Sequence, residues 1–337
     1  MITFFCGCGE ATMSKNTNFK WYAVATAPRE YPMEIISGTF FCKGMETGIP
    51  IPSGGTLTTG WGKSASAYVG SDEVPPLPDR VQVTFFSYVE KQAYKAEFLL
   101  PYENILAKFQ QRLRDAPDKR NYSHFILGVA PGGAISVWLG GPDVIEVFFG
   151  QAEKIEIDPA LAFELPFKSK EQSDEYVNGA LKDSLTSEQI AHLEAHGVPI
   201  GMWSRYRNLY RWSPIYKEGK TVTDLQMSAE FLNGESYWIP TIFNEEFANT
   251  PKPLPLHLEF SAQATRDDTP FYVIDFDPIE LMEAFEKLGA NGEKVFIEFD
   301  PRIPVTNMKI RVYNDSTPKD EKTPKEYVEL KKFKVDP

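Results

Sequence analysis

Short apolar or alternating runs, separated by proline, glycine, aspartate and asparagine, fill most of the chain between residues 19 and 156. Runs of this kind, bounded by turn residues, are typical of β-strands. Strands are predicted over residues 21–26, 33–41, 81–89, 95–100, 124–129, 134–139 and 144–149. One helix interrupts them, with Pro101 in its first turn and an apolar face made of Ile105, Leu106 and Phe109.

Residues 251–315 repeat this order of elements. The triplet at 76–78, Pro-Leu-Pro before a strand, recurs at 253–255, and the helix start at 101–103 recurs at 278–280. Both pairs are separated by 177 residues (253 − 76 and 278 − 101). The second helix has an apolar face made of Met282, Phe285 and Leu288. The pattern favours an internal duplication, in which each module is a sheet with one helix over one face. The alternative is a coincidence of proline-bounded strands.

The stretch between the modules has a helical pattern instead. Residues 186–189 have the spacing of a capping box, and Gly197 with Pro199 provides a stop, so a helix is predicted over residues 187–196. The end of the chain is rich in lysine and glutamate, and residues 327–335 alternate enough to form an edge strand.

The predicted fold class is therefore α+β, predominantly antiparallel β, with two β-rich modules that each carry a covering helix. The predicted divisions are a signal remnant and tether (1–18), a first module (19–157), a helical connector (158–200), a second module (201–315) and a charged tail (316–337).

Composition narrows the classes of function. With 42% hydrophobic residues the chain can bury a full core. The net charge of −12 disfavours nucleic acid as a partner and would steer a basic protein towards the chain, although it also serves simple solubility. The three cysteines, Cys6, Cys8 and Cys42, are too few for a disulfide framework, and Cys42 is predicted to be a buried thiol.

The first nine residues resemble the end of a lipoprotein signal peptide. A short apolar run leads to Gly7 and Cys8, so Cys8 is the predicted lipid attachment site, and residues 9–18 are small or polar enough to form a tether. A working signal also needs a basic segment and about 7–15 apolar residues, so lipidation at Cys8 would require a start codon upstream of Met1. The alternative is an ordinary N-terminal tail with two reactive thiols.

No catalytic residue, metal site or cofactor is predicted. His192 and His196 share a helix face, but Leu193 stands where a zinc protease has its glutamate. The glycines at 128–133 fit a hairpin turn, not a phosphate loop. Asp275 and Asp277 would point to the same face of a strand, and they are interpreted as solvated.

The most distinctive segment is 203–212, which combines three arginines and four aromatic residues in an acidic chain. On a helix, Trp203, Tyr206 and Tyr210 would share one side, with Arg207 and Arg211 on another. Arginine beside aromatic residues is typical of protein interfaces. The predicted partner-binding residues are Arg205, Arg207, Arg211, Tyr206 and Tyr210. The alternative is an aromatic stripe that faces the core, or cation–π stacking within the fold.

Several ordered aromatic and proline motifs resemble those of domain of unknown function family 2931. They are Phe19-Lys20-Trp21-Tyr22-Ala23, Tyr31-Pro32-Met33-Glu34, Ser37-Gly38-Thr39-Phe40, Gly60-Trp61-Gly62, Pro76-Leu77-Pro78-Asp79-Arg80, Val129-Ala130-Pro131-Gly132-Gly133 and Val137-Trp138-Leu139, followed by Glu146-Val147-Phe148. The resemblance covers much of residues 19–150, and residues 197–313 resemble the C-terminal region of the same family.

The resemblance implies a lipoprotein of a Gram-negative bacterium, anchored to the outer membrane and facing the periplasm. It carries no catalytic residues with it. We expect a non-enzymatic protein that binds a protein partner, in its sharpest form an immunity protein against a type VI secretion effector such as a phospholipase. The alternative is a structural or envelope-maintenance lipoprotein, and an enzyme is the third reading.

Overall fold

The predicted strands of the first module all form, close to their expected bounds. The computed structural model describes residues 16–64, 68–71, 74–115, 120–216, 227–239, 245–261, 271–290, 292–300, 308–314 and 327–336. Residues 16–157 form the N-terminal unit, which corresponds to the predicted first module. Its strands are β1 (Tyr22–Thr26), β2 (Met33–Cys42), β3 (Gly48–Pro50), β4 (Val69–Gly70), β5 (Pro78–Ser87), β6 (Gln92–Leu99), β7 (His124–Ala130), β8 (Ala134–Gly140), β9 (Val144–Gln151) and β10 (Glu153–Ile155). The predicted helix is α1 (Tyr102–Asp115), with Ile105 and Phe109 buried.

Four helices follow in the connector: α2 (Pro159–Ala162), α3 (Lys170–Ser184), α4 (Ser187–His196) and α5 (Met202–Arg205). Helix α4 has the predicted bounds and a complete capping box between Thr186 and Gln189. Helix α3 packs through Val177 against Phe86 and Tyr88, on the side of β5 away from the main core. The connector therefore covers one face of the N-terminal unit.

The remaining strands and helices form the C-terminal unit (residues 210–336). They are β11 (Tyr210–Tyr216), β12 (Met227–Phe231), β13 (Ser236–Ile239), β14 (Pro251–Lys252), β15 (Pro255–Ser261), β16 (Phe271–Phe276), β17 (Val295–Asp300), β18 (Lys309–Asn314), β19 (Val328–Glu329) and β20 (Phe333–Asp336), with α6 (Glu245–Asn249) and α7 (Pro278–Leu288). The predicted edge strand at 327–335 is two short strands, each at the edge of a different sheet.

The two units have the same sheet topology. In the N-terminal unit the strand orders are β9-β8-β7-β1-β4 and β10-β6-β5-β2-β3, and in the C-terminal unit they are β19-β18-β17-β11-β14 and β20-β16-β15-β12-β13. Only β1–β7 and β11–β17 are parallel among the described strand pairs. The fold is α+β and predominantly antiparallel, as predicted.

One tryptophan has the same hydrogen bond in each unit. The indole N–H of Trp21 donates to the carbonyl oxygen of Pro76 at 3.3 Å, and that of Trp212 donates to the carbonyl oxygen of Pro253 at 2.9 Å. These prolines begin the repeated Pro-Leu-Pro triplets. The arrangement is shared, while a common origin of the two units by duplication stays a prediction.

Each unit has its own hydrophobic core. One core is built from residues between Phe19 and Ala152, and the other from residues between Trp212 and Val335. Helix α7 contributes the predicted Met282, Phe285 and Leu288. The thiol of Cys42 is buried in the first core, as expected, and burial raises its pKa. Among the described helices, none has the length and apolar character that crossing a membrane requires.

Candidate functional site

The two units meet where β9 of the N-terminal unit joins β13 of the C-terminal unit, through the single strand pair Val144–Ser236. This pair links one sheet of each unit into a sheet of ten strands. Beside it, the backbones of Gly62 and Gly234 are so close that a Cβ on Gly62 would overlap the carbonyl oxygen of Gly234. Both glycines have positive φ angles, +74° and +85°. The turn of the β12–β13 hairpin is therefore seated directly on the 60–62 segment.

Trp138 of β8 lies under this turn. Its indole N–H donates to the carbonyl oxygen of Asn233 at 3.1 Å, and its ring makes an edge-on contact with Trp61 at 4.8 Å. Lys63 forms an ion pair with Glu230 across the same contact. The Gly60-Trp61-Gly62 motif thus serves to hold the two units together.

A cleft of about 590 Å³ opens beside the contact. That volume is within the usual range for ligand pockets, about 300–1,000 Å³. Its walls come from β9, from the turn after α5, from the β12–β13 hairpin and from the segment around α6. The lining residues include Glu146, Arg207, Leu209, Asn233, Glu235, Tyr237, Glu246, Phe247, Pro251, Lys252 and Pro253. Charged and apolar side chains therefore alternate around one cavity.

Arg207 and Glu146 form the best-defined polar contact of the cleft. The Nε of Arg207 donates to Oε2 of Glu146 at 2.7 Å, and the Oγ of Ser136 donates to Oε1 at 2.7 Å. The Glu146 side chain is only 7% exposed, whereas that of Arg207 is 42% exposed. The guanidinium also lies over the ring of Phe149, 4.7 Å from its centre.

Burial raises the pKa values of two carboxyl groups in this cleft. For Glu146, burial is opposed by Arg207 and Ser136, and the pKa is still raised. For Glu235, burial is opposed by hydrogen bonds from Asn233 and from the backbone N–H of Glu146, which donates to Oε1 at 3.0 Å, and the pKa is still raised. Raised carboxyl pKa values in a cleft are common at functional sites.

Lys252 lies at the floor of the cleft and is 4% exposed. Burial lowers its pKa to about 7, with a smaller effect from Lys294. Its ammonium group nevertheless donates to the carbonyl oxygens of Phe247 and Thr250 and lies over the ring of Phe247 at 4.0 Å, contacts that favour the charged form. We interpret Lys252 as a cap for the end of α6.

The segment 203–212 does not form one helix, so the helical arrangement of its side chains considered above does not occur. Helix α5 ends at Arg205, and β11 begins at Tyr210, because Tyr210 and Arg211 pair with β14 and Trp212 pairs with β17. The aromatic side chains face inwards: Trp203 is 1% exposed, and Tyr210 makes an edge-on contact with Phe285 at 5.4 Å. Tyr206 packs against both the second core and the cluster around Trp203.

Each of the three arginines is exposed and has a contact within the chain. Arg205 pairs with Glu286 of α7 at 2.8 Å, and Arg211 donates to the carbonyl oxygen of Gly292. Arg207 pairs with Glu146, as described above. The structure therefore brings only Arg207 of this group into the cleft.

Other candidate residues have local roles. His192 and His196 stack on α4 with ring centres 4.2 Å apart. The 131–133 segment makes the predicted turn between β7 and β8. Asp275 and Asp277 do not share a strand face, because Asp277 follows β16 and caps the first turn of α7 through the backbone N–H of Glu280. Cys8 lies outside the described residues.

The sequence analysis missed Glu146 and Glu235 as members of one site. The local signal for the hairpin was present: Asn233-Gly234 between two strands is a strong indication of a tight turn. The two glutamates are 89 positions apart, however, and no local pattern indicates that they meet.

Comparison with protein families identifies one match. The family described as "Protein of unknown function (DUF2931)" matches residues 10–201, which include the N-terminal unit and the helices of the connector up to α4. The resemblance expected for residues 197–313 lies almost entirely beyond this match and stays a prediction. Neither the curated proteins nor the solved structures include a chain that matches this one. Because the match spans more than half of its residues, the chain belongs to the DUF2931 family.

Proposed function

We propose that this protein is a lipid-anchored protein of the bacterial envelope that acts by binding a protein partner at the junction of its two units. The observation that carries the proposal is the cleft of about 590 Å³, which both units line. Its rim has an exposed arginine, Arg207, and an exposed apolar residue, Leu209, at 56% exposure. Arginine and large apolar groups contribute strongly to protein interfaces.

Charge supports a partner at this position. The chain has a net charge of −12, yet two exposed arginines lie close together, Arg205 at the end of α5 and Arg207 in the turn that follows. A positive group on an acidic protein orients an approaching partner, because its field differs in sign from that of the surrounding surface.

The finer version of the proposal is an immunity protein, which would cover the active site of a type VI secretion effector such as a phospholipase. Lipidation at Cys8 belongs to this version of the proposal, because an anchor on the outer membrane facing the periplasm would hold the inhibitor where such an effector arrives. An adjacent effector gene in the genome would support this version, and purified effector that stays fully active with excess protein would contradict it.

Site-specific photo-crosslinking tests the binding site. A photoreactive phenylalanine analogue at position 209 should crosslink to one dominant protein in the native bacterium, identified by mass spectrometry. The matched control is position 99, because Leu99 is 78% exposed but lies on β6, away from the cleft. The same products at both positions, or none at 209, would contradict the proposal.

Metabolic labelling tests the anchor separately. When expressed from its full gene, with any upstream codons included, the protein should incorporate an alkyne fatty acid and fractionate with membranes. Cys8→Ala should abolish both, whereas Cys6→Ala should keep the label. A Cys8→Ala protein that is still labelled would show that the assignment of Cys8 is wrong.

A further inference from the structure

The guanidinium of Arg207 is held in a fixed orientation. Its Nε donates to Glu146 at 2.7 Å, and Glu146 is itself held by Ser136 at 2.7 Å. The ring of Phe149 lies beneath the guanidinium plane, 4.7 Å from its central carbon. A guanidinium that is fixed at Nε and stacked on a ring loses little freedom when it binds a ligand.

The two terminal nitrogens of Arg207 remain available for a ligand. Within the described part of the chain, the only hydrogen bond of this side chain is the one from Nε to Glu146. The side chain is 42% exposed and lines the cleft. Terminal guanidinium nitrogens present parallel N–H groups that match the two oxygens of a carboxylate.

The charges around the cleft disfavour a doubly charged anion more than a singly charged one. Arg207 and Lys252 line the cleft together with three carboxyl groups, those of Glu146, Glu235 and Glu246. A doubly charged phosphate would be repelled by these acidic groups, whereas a carboxylate carries half that charge.

The cleft also offers apolar surface. Phe247, Tyr237, Pro251 and Pro253 line it together with Arg207. Apolar side chains with a small number of polar groups are typical of sites that bind small ligands and chain ends.

We propose that the cleft binds a peptide segment through a carboxylate on the terminal nitrogens of Arg207, with an adjacent apolar side chain against Phe247 and Pro251. This inference rests on the proposed function and adds the chemistry of the contact. The carboxylate is either the free C-terminus of the partner or the side chain of an aspartate or glutamate.

Three short peptides separate these sources: acetyl-Ala-Ala-Phe with a free carboxylate, the same peptide as its C-terminal amide, and acetyl-Ala-Asp-Phe amide. Dissociation constants from ligand-observed NMR titration of the wild-type protein should be about tenfold lower for a carboxylate peptide than for the uncharged amide. Preference for the first peptide assigns a C-terminus, and preference for the third assigns a side chain. Equal binding of all three, or no binding, would overturn the inference.

Arg207→Lys tests the residue, because lysine keeps the charge but loses the paired N–H groups. The substitution should raise the dissociation constant of the preferred carboxylate peptide about tenfold and leave that of the uncharged amide peptide unchanged. Arg80→Lys is the matched control: Arg80 also lies over a ring, Phe41 at 3.8 Å, and donates to a glutamate, Glu97 at 2.7 Å, but it is on β5 outside the cleft. Retention of the full preference by Arg207→Lys would overturn the inference.

The outcome is distinguishable from failure of the proposed function. A partner crosslinked at position 209 without any preference for carboxylate peptides would contradict only this inference. Carboxylate binding without a crosslinked protein would support this site and contradict the protein partner.

Discussion

Three residues that pair side by side on neighbouring strands, here called a row, are apolar in one unit and partly charged at the equivalent positions of the other. In the N-terminal unit the row is Val24, Ile126 and Trp138, and each is fully buried. Val24 lies three residues after Trp21, and Ile215 lies three residues after the equivalent Trp212. The corresponding row of the C-terminal unit is therefore Ile215, Glu298 and Arg311. The backbone arrangement is shared, whereas one row is apolar and the other holds an ion pair.

The difference explains how the units are arranged. The apolar row accepts the β12–β13 turn of the C-terminal unit, with a hydrogen bond from Trp138 to Asn233. In the charged row, Arg311 contacts Glu298 at 3.1 Å and Asp300 at 3.7 Å, and all three residues are less than 10% exposed. One topology can therefore provide either a docking face or a face with a buried ionic cluster, depending on two or three side chains.

Removing the arginine of the charged row should have the largest effect. Arg311→Met removes the positive guanidinium and leaves the carboxyl groups of Glu298 and Asp300 buried without it. We expect a loss of about 3–5 kcal/mol in the free energy of unfolding. Urea unfolding measures it. Arg80→Met breaks the more exposed Arg80–Glu97 pair and should cost at most about 1 kcal/mol. Similar losses for the two variants would show that the row is not a buried ionic cluster.

A double variant sharpens this result. If Glu298 and Arg311 interact directly, adding Glu298→Gln to Arg311→Met should cost less than Glu298→Gln alone costs in the wild type. Strict additivity of the two unfolding free energies would contradict a direct interaction.

The turn on the apolar row should be almost as sensitive. Gly234 has φ +85°, and an added Cβ would lie 2.8 Å from Trp138. Gly234→Ala combines left-handed strain of about 1–2 kcal/mol with overpacking of about 1–3 kcal/mol. Gly44→Ala is the control, because Gly44 occupies the corresponding β2–β3 turn with φ +76° and nothing within 4 Å. Equal melting temperatures for the two variants would contradict a docked turn.

Trp138→Phe tests the hydrogen bond across the junction. The change leaves the carbonyl oxygen of Asn233 buried without its indole donor, for an expected loss of about 1–3 kcal/mol. Trp212→Phe removes an equivalent bond within the C-terminal unit. Limited proteolysis should distinguish the two variants, since only Trp138→Phe should speed cleavage between the units. Identical cleavage rates would show that Trp138 does not hold the junction.

The smallest expected effect is on pH dependence. Because burial raises the pKa of Glu235 above its usual 4.5, the folded protein binds this proton more tightly than the unfolded chain does. Its contribution to stability is present below pH 4.5 and is lost as the pH rises through the raised value. Glu235→Gln cannot titrate, so its stability relative to the wild type should increase as the pH rises from about 4 to about 7. A constant difference across that range would contradict a buried Glu235.

Much of the fold could be predicted because its signals are local. The capping box fixed the bounds of α4 at Ser187–His196, since its hydrogen bonds join residues three apart. The apolar spacing of Met282, Phe285 and Leu288 identified the buried face of α7. Alternation and turn residues located the strands of the N-terminal unit for the same reason.

The tertiary structure decided the rest. Spacing alone could not show whether 203–212 is helical, whereas pairing of Tyr210 with Lys252 and of Trp212 with Val295 places the end of this segment in a sheet. The contact of Arg207 with Glu146 spans 61 residues, so no local pattern contains it. The sequence by itself determined strands, helix bounds and apolar faces, because these depend on neighbours within a turn or a strand. Which rows dock, which charges pair and where the cleft opens depend on contacts between distant segments, and only the assembled units provide them.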